Sequence, residues 1–243
     1  MQLFYNKDIT SGGYCTLDAE ESRHAVRVLR LRAGDGLHVT DGCGNLYLCN
    51  IVDADDRACV VEIISPLTSH LSPFTFHLAV APTKNPSRME WLVEKAVEIG
   101  VGEITLLDCD HSERSFLKTD RLQKLAVSAM KQSLHTVLPA IHPAVRLSDW
   151  ISTFNFQLST QKLIAHCEAD QPRTPLAAAL QPGCDAVVLI GPEGDFSSDE
   201  IALALEKGFI PVSLGPSRLR TETAALYAVT AFNLINDRPG KNY

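Results

Sequence analysis

The pattern of apolar and polar positions changes near residue 70. Before that point, short runs rich in apolar and β-branched residues lie between turn clusters at 34–36 and 41–45. This spacing is typical of a small β-barrel or sheet. It predicts a short helix followed by three strands, at 19–29, 37–39, 46–52 and 58–64.

After residue 70, apolar runs alternate with amphipathic segments. The stretch 65–73, with two prolines and three serines, predicts a linker between the two patterns. Strands are then predicted at 74–80, 103–107, 162–166, 186–190 and 209–214, and helices at 87–99 and 120–134. Strands that alternate with helices indicate an α/β fold with a mostly parallel sheet covered on both faces.

Two glycine-containing turns follow the last two predicted strands. The first is Gly191-Pro192-Glu193-Gly194, and the second begins at Gly215. Ligands of parallel sheets bind at the carboxyl ends of the strands, and glycine lets a flat ligand approach the main chain. Each turn leads into a helix-like segment, and the second brings the charged sequence 220–223 to a helix start. This combination predicts an enzyme with a cofactor pocket.

Several other classes of site are disfavoured by the sequence. The segment 81–88 after the first strand of the α/β part is not G-x-G-x-x-G, and no G-x-x-x-x-G-K-[ST] occurs. Nicotinamide and nucleoside triphosphate binding are therefore not expected. The seven cysteines are scattered without a C-x-x-C pair, which favours reduced thiols over a metal site or a disulfide framework.

A basic stretch stands out in a chain of net charge −7. The segment 23–32 holds four arginines and one histidine and no acidic residue. It is interpreted either as a selective RNA-docking face or as a solvated helix whose arginines pair with Glu20, Glu21 or Asp35. No run reaches membrane-span length and the N-terminus lacks the pattern of a signal peptide, so a cytoplasmic protein with no membrane contact is expected.

The motif Gly-Pro-Glu-Gly at 191–194, followed by Leu-Gly-x-x-x-Leu-Arg-x-Glu-Thr-Ala at 214–224, is a specific combination. With it, the segments 24–30, 84–100 and 112–115 resemble the ribosomal small-subunit RNA uracil-N3 methyltransferases, the RsmE family of the SPOUT class. The resemblance covers essentially the whole chain in consistent order.

This resemblance implies a PUA-like RNA-binding domain at 1–70 and a SPOUT methyltransferase domain at 71–243. It implies a deep trefoil knot with the cofactor site at about 163–236. S-adenosylmethionine is the implied methyl donor, and no metal is expected. The implied partners are a second copy of the chain, in a homodimer, and the 16S ribosomal RNA of the small subunit. The implied reaction is methylation at N3 of one uridine in the decoding region.

Candidate site residues follow from the two turns and the resemblance. Arg220 is expected to stabilise negative charge on the uracil carbonyls. Glu222 is expected to orient Arg220 or to accept the N3 proton, and orientation is favoured because an adjacent arginine makes a carboxylate a weaker base. The candidate cofactor-binding residues are Ile190, Gly191, Pro192, Glu193, Gly194, Leu214, Gly215, Leu219, Arg220, Thr221 and Thr223. The candidate RNA-binding residues are Arg23, His24, Arg27, Arg30, Lys84 and Arg114.

Structural interpretations of some of these residues stay open beside the functional ones. Thr221 can be a helix N-cap, Glu222 can favour the helix dipole, and Glu193 can merely shape its turn. The chain departs from the family pattern at three positions, where Asp195 replaces a glycine, Lys131 a glutamate and His135 an arginine.

Two rival functions remain. One is a SPOUT methyltransferase that acts on transfer RNA or on another ribosomal position. The other is a non-catalytic RNA-binding or assembly factor, which the intact Gly191, Gly194, Gly215 and Arg220 disfavour.

Overall fold

The structure is a computed structural model that describes residues 2–67, 73–113, 117–154, 160–168 and 172–236. The chain divides into two compact units. The first consists of Met1–Leu71 together with Val127–Leu138, and the second of Ser72–Ala126 and Pro139–Tyr243. A boundary near residue 70, as the sequence indicates, does not anticipate that Val127–Leu138 joins the first unit.

The first unit is built on a five-stranded sheet in the order β1-β3-β4-β5-β2. β1 runs parallel to β3, and the other neighbours are antiparallel. The strands are β1 Leu3–Tyr5, β2 Tyr14–Thr16, β3 Gly36–Thr40, β4 Leu46–Asp53 and β5 Val60–Leu67. The three predicted strands, β3 to β5, are confirmed. β1 and β2, of three residues each, are too short to show a period in the sequence.

The predicted linker is wrong at its start, because Ser65 and Pro66 belong to β5. Proline lacks the N–H that a strand donates to its neighbour, so it is tolerated at a sheet edge. β2 pairs with β5 only at residues 60–62, so β5 has a partner strand on only one side at Pro66. Residues 68–72 of the predicted linker lie outside the described residues.

The helix predicted at 19–29 is present and contributes to the core of this unit. α1 spans Ala19–Arg23 and continues into a π-helical turn at His24–Val28. Asp18 caps it, since its carboxylate accepts hydrogen bonds from the amides of Glu20 and Glu21 at 2.9 and 2.8 Å. Ala25 is fully buried in the core of the unit.

The second unit contains a parallel sheet of seven strands in the order β10-β12-β9-β11-β6-β7-β8. The strands are β6 Phe76–Val80, β7 Glu103–Asp108, β8 Ala140–Arg146, β9 Gln161–Ala165, β10 Thr174–Pro175, β11 Ala186–Ile190 and β12 Ile210–Ser213. The predicted parallel α/β sheet is confirmed. The sequence does not reveal the two edge strands, β8 and β10, because each contains a proline.

Six helices connect or cover the strands of this sheet in the described part of the chain. They are α2 Pro86–Ile99, α3 Thr119–Gln132, α4 Leu147–Thr153, α5 Leu176–Ala179, α6 Ser198–Glu206 and α7 Thr221–Asn236. Ala79 of β6 packs in one cluster with Trp150 of α4 and Ile201 of α6. Phe76, three positions earlier and therefore on the other face, contacts Phe232 of α7 with ring centroids 5.1 Å apart. Both faces of the sheet are thus covered, as the apolar runs indicate.

Two middle strands of this sheet, β6 and β11, have neighbours on both sides, and every one of their residues is buried. All of these residues are apolar except His77 of β6. Apart from His77, polar groups are therefore available only where these two strands end. Among the described residues, no helix is both long and apolar enough to cross a membrane.

Candidate active site

The candidate site lies at the carboxyl ends of three adjacent strands of the second unit. β9 lies between β12 and β11, and its last residue, Ala165, is in register with Ile190 of β11 and Val212 of β12. The two glycine-containing turns therefore meet over the end of β9. Between them is a cavity of about 340 Å³.

Most of the predicted cofactor-binding residues line this cavity. They are Ile190, Gly191, Pro192, Glu193, Leu214, Gly215, Leu219, Arg220 and Thr221. Two predicted residues do not line it. Gly194 packs against His111, where an added Cβ would lie 3.0 Å from the histidine Cβ, and Thr223 lines a neighbouring groove. The structure thus brings nine of the eleven predicted residues together around one cavity.

A hydrogen bond joins the two turns. The Thr221 hydroxyl donates to the Gly191 carbonyl oxygen at 3.1 Å, and Thr221 is buried. Because α7 starts at Thr221, this residue is inside the helix rather than its N-cap. Gly191 leaves little room for a side chain, since a Cβ would lie 3.1 Å from the ring of Phe196 and would require it to shift. The close contact between the turns thus depends on a small residue and a hydroxyl.

Glu193 does more than shape its own turn. Its carboxylate accepts a hydrogen bond from the amide of Lys84 at 3.2 Å, and its carbonyl oxygen accepts one from Arg218 at 3.4 Å. It therefore connects the loop after β6 with both turns. The Lys84 side chain forms an ion pair with Glu113, which raises the pKa of the lysine.

The segment after β9 contributes residues to the cavity that the sequence does not indicate. They are His166, Cys167 and Arg173. His166 is 4% exposed, and its Nδ1 accepts a hydrogen bond from the Glu168 amide at 3.2 Å, so its proton lies on Nε2. This Nε2 is buried without a partner among the described residues. Burial lowers the pKa of His166, which keeps the ring neutral.

Two further hydrogen bonds hold the backbone around His166 in place. Arg173 donates a hydrogen bond to the His166 carbonyl oxygen at 2.7 Å, and Asp195 accepts one from the Cys167 amide at 2.7 Å. A position at the end of the strand between the two turns is the signal that could have identified His166.

Asp195 occupies a backbone conformation that favours glycine. Its φ is 66°, in the left-handed region, which explains why a glycine suits this position. The aspartate compensates through its carboxylate, which binds the amides of Cys167 and Phe196 at 2.7 and 2.9 Å. This departure from the family pattern therefore replaces backbone freedom with hydrogen bonds between the first turn and the end of β9.

An open groove of about 580 Å³ lies beside the cavity. Its lining comprises Ser87, Arg88 and Trp91 of α2 with Arg218, Leu219, Arg220, Glu222 and Thr223. Arg218, Leu219 and Arg220 line both the cavity and the groove. The predicted catalytic residue Arg220 is thus part of the wall that the two spaces share.

Glu222 is the buried acidic group of this groove. It is 7% exposed; its Oε1 lies 3.8 Å from Nε of Arg88, and its Oε2 has no hydrogen-bond partner among the described residues. The structure therefore gives Glu222 a cationic neighbour, Arg88, that the sequence does not suggest. A single arginine near the start of α2 carries no local signal that it faces residue 222.

The predicted RNA-binding residues of the first unit are all exposed. Arg23, His24, Arg27 and Arg30 lie on α1, the π-helical turn and the residues after it. Arg27 pairs with Asp56 rather than with one of the expected acidic residues. Glu21 pairs with Lys131, the residue that replaces a glutamate of the family pattern. Arg114, a further predicted residue, lies outside the described residues.

The described residues hold no cluster of three or more histidine, cysteine, aspartate or glutamate side chains suited to a metal ion. The seven cysteines are all free thiols. Burial raises the pKa of Cys49 to about 12. The Cys49 thiol is therefore protonated near neutral pH and unsuited as a nucleophile or ligand.

Known proteins resemble this chain along almost its full length. Residues 70–233 match the model of an RNA methyltransferase domain, and residues 17–64 that of an RNA methyltransferase PUA domain. The ribosomal RNA small subunit methyltransferase E of Aquifex aeolicus is 31% identical, over 95% of this chain and 98% of its own length. The protein of the same name from Buchnera aphidicola is 28% identical, over 96% of this chain and 93% of its own.

Solved structures agree with this relationship. A probable rRNA-methyltransferase from Porphyromonas gingivalis is 42% identical with a TM-score of 0.88, covering 97% of this chain and 98% of that one. The ribosomal RNA small subunit methyltransferase E of Neisseria gonorrhoeae, solved bound to S-adenosyl methionine, is 27% identical with a TM-score of 0.82 and the same coverage. The fold, the two turns and these matches together show that the chain belongs to the ribosomal RNA small subunit methyltransferase E family.

Proposed function

We propose that this protein transfers a methyl group from S-adenosylmethionine to N3 of one uridine in the decoding region of 16S ribosomal RNA. The observation that carries the proposal is the shared wall at Arg220. A cavity with the dimensions of a small-molecule site lies on one side of this residue, and an open groove on the other. Donor and acceptor can therefore meet next to this side chain.

The residues around the cavity suit S-adenosylmethionine. Ile190, Leu214 and Leu219 offer apolar surface for a flat base, and the glycines leave the main chain accessible. His166 adds a buried N–H donor that has no partner among the described residues, which a ribose hydroxyl or another acceptor of the bound molecule would satisfy. When bound, this cofactor supplies a methyl group activated by a positively charged sulfur. The relatives solved with it bound support the assignment.

Arg220 would act on the uracil as the N3 proton leaves. Negative charge then spreads onto the two carbonyl oxygens, and a guanidinium in the shared wall stabilises it without having to reorganise. N3 lies on the pairing edge of the base, so the target uridine must be unstacked to enter the groove. Holding the base and the donor in contact supplies much of the remaining rate enhancement.

Glu222 is proposed to act next to the base. It forms an ion pair with Arg88, and one of its oxygens is unpaired among the described residues. This arrangement supports a contact with the substrate more than the orientation of Arg220, the role favoured from the sequence. Proton acceptance by Glu222 or by water both fit this position.

The first unit is proposed to dock the protein on ribosomal RNA. Its match to a PUA domain and the exposed side chains of Arg23, Arg27 and Arg30 support this role. We further propose the domain division at 70/71, a trefoil knot within 163–236, a homodimer and a cytoplasmic location, all of which follow from the family.

Methyl transfer to isolated small subunits tests the proposal. Subunits from cells that lack this gene are incubated with the protein and labelled S-adenosylmethionine, and the RNA is then mapped by reverse transcription. A single stop in the decoding region is expected, because N3 methylation blocks base pairing. Subunits from cells that carry the gene are the matched control and should accept no label.

Other outcomes would replace the proposal with one of its rivals. Label on transfer RNA and none on the subunit would keep methyl transfer but change the substrate. Absence of label from all RNA, together with no binding of S-adenosylmethionine in a titration, would identify a non-catalytic RNA-binding factor.

A further inference from the structure

The groove beside the cofactor cavity contains a buried acceptor group that the proposed reaction alone does not require. Its one buried polar side chain is Glu222, and the Oε2 atom of this residue has no partner in the described part of the chain. A buried carboxylate oxygen without a partner costs free energy unless something donates to it. A ligand with a hydrogen-bond donor would therefore stabilise this oxygen.

Two arginines line the same groove as this acceptor. Arg88, whose Nε lies 3.8 Å from Oε1 of Glu222, is half-buried, and Arg220 is exposed. An arginine can only donate, and a carboxylate can only accept. The 3.8 Å separation is too long for a hydrogen bond, so the Arg88 donors are not consumed by Glu222. The groove therefore combines arginine donors with one buried acceptor.

Uracil presents the complementary set of groups. Its pairing edge consists of the N3–H donor between two carbonyl acceptors, O2 and O4. Cytosine presents an N3 acceptor, one carbonyl and an amino donor. A carboxylate facing N3 accepts a hydrogen bond from uracil but repels the N3 lone pair of cytosine.

We propose that Glu222 and Arg88 form the element that selects uracil in this groove. The free oxygen of Glu222 accepts the N3–H, Arg88 and Arg220 donate to the flanking carbonyls, and the ring stacks on Trp91. Trp91 is 47% exposed and lines the same groove, as an aromatic platform for an unstacked base must. This assignment rests on the proposed function, because it names the residues that recognise its substrate.

The same contact separates substrate from product. N3-methyluracil has no N3–H, and its methyl group would be directed at the buried Glu222 oxygen. The groove therefore binds the unmodified base and rejects the methylated one. Methylation thus removes the hydrogen bond to Glu222, and its loss favours release of the product.

Binding of short RNAs tests this selection without any methyl transfer. Hexauridylate, hexacytidylate and a hexamer of N3-methyluridine are titrated into the protein, and quenching of tryptophan fluorescence is followed. Trp150, the other tryptophan, is buried, so quenching reports on Trp91. The expected result is binding of hexauridylate at least about tenfold tighter than binding of the other two. A Trp91→Phe variant should lose the quenching signal.

Glu222→Gln is the decisive variant. A glutamine can rotate its amide to present either a donor or an acceptor, so the preference for hexauridylate over hexacytidylate should fall below about threefold. Glu98→Gln is the matched control, since it neutralises a carboxylate that pairs with Lys95 on α2 outside the groove lining. It should keep the full preference. If Glu222→Gln fails to fold, Arg88→Met should lower the affinity for hexauridylate more than that for hexacytidylate.

Equal affinities of the unaltered protein for the hexamers, no quenching of Trp91, or a preference that survives Glu222→Gln would each overturn the assignment. Such a result is distinguishable from a failure of the proposed function. Methyl transfer to small subunits would continue if only the base-recognition assignment were wrong, whereas selective uracil binding without transfer to the subunit would point to another uridine-containing substrate.

Discussion

The hydroxyl of Thr221 donates a hydrogen bond to the carbonyl oxygen of Gly191, 3.1 Å away, and joins two turns that are separated by a helix and a strand. Both residues line the cavity at the carboxyl ends of β9, β11 and β12. The bond is buried, so its loss leaves a carbonyl group that water cannot reach.

Thr221→Val should therefore weaken the connection between the two turns that form the cavity, while keeping the shape of the side chain. We expect a loss of about 1–2 kcal/mol in unfolding free energy, the cost of one unpaired buried group. We also expect the Kd for S-adenosylmethionine to rise several-fold. Calorimetry and urea denaturation measure the two effects. Thr230→Val, at an exposed position of the same helix, is the control; equal behaviour of the two variants would refute the role of the bond.

Lys131 neutralises a buried carboxylate in the first unit. Its ammonium group pairs with Glu21, which is 4% exposed and whose pKa is raised by burial. Lys131→Ala should lower the unfolding free energy by about 3 kcal/mol, because it leaves a buried charge without a partner. Urea denaturation measures the change.

Two further variants make this test specific. Adding Glu21→Gln to Lys131→Ala should restore part of the lost stability, since the uncompensated charge is removed. Lys124→Ala, at an exposed site on the same helix, should change stability by less than about 0.5 kcal/mol. A loss in Lys131→Ala no larger than in the control would contradict the ion pair.

Asp195 balances an unfavourable backbone conformation against two hydrogen bonds. Asp195→Ala keeps the φ of 66° and loses both bonds to the carboxylate, so it should be less stable by about 1–2 kcal/mol. Asp195→Gly loses the same bonds but relieves the strain, and should be about 1 kcal/mol more stable than the alanine variant. Thermal unfolding ranks the three proteins. Identical midpoints for alanine and glycine would show that the conformation carries no strain.

His77 makes the stability of the second unit depend on pH. It is buried, and burial together with the nearby His142 lowers its pKa to about 4, despite a Glu103 oxygen 3.2 Å from Nδ1. Its other nitrogen, Nε2, lies 2.8 Å from the hydroxyl of Thr105, and the rings of Trp150 and Phe154 pack against it. The neutral ring satisfies both polar neighbours, since it donates to Glu103 and accepts from Thr105.

The folded pKa of His77 lies below the unfolded one, so the unfolded chain binds the proton first. This contribution to stability is complete above pH 6.5 and is lost as the pH falls towards 4, by about 3 kcal/mol in total. His77→Asn should therefore show a shallower loss of unfolding free energy than the unaltered protein between pH 6.5 and 4. Parallel pH profiles for the two proteins would contradict the assignment.

The sequence predicts the layered architecture well because each buried strand is a run of mostly apolar residues. β11 coincides with its predicted bounds, and β6 lies within them. Pro143 in β8 and Pro175 in β10 conceal the edge strands of the second sheet. The assignment of Val127–Leu138 to the first unit depends on contacts between distant segments, such as Glu21 with Lys131, and no local pattern encodes them.

The candidate site is predictable to a similar extent. Glycines and the helix start reveal the two turns, because backbone conformation restricts which residues can occupy them. Arg88, Trp91 and His166 carry no such restriction; they belong to the site only because α2 and the end of β9 pack next to the turns. The RNA-binding roles of Arg23, His24, Arg27, Arg30, Lys84 and Arg114 stay predictions.

The most direct test of the central claim is the rate of methyl transfer by Arg220→Ala on small subunits that lack the modification, measured beside the Kd for S-adenosylmethionine. Arg220 lies in the wall between the cavity and the groove. The expected result is a rate lower by about 100-fold or more, the usual loss for one transition-state donor, with a Kd within about threefold of the unaltered protein. A variant that transfers methyl groups as fast as the unaltered protein would contradict a methyl-transfer site built around this residue.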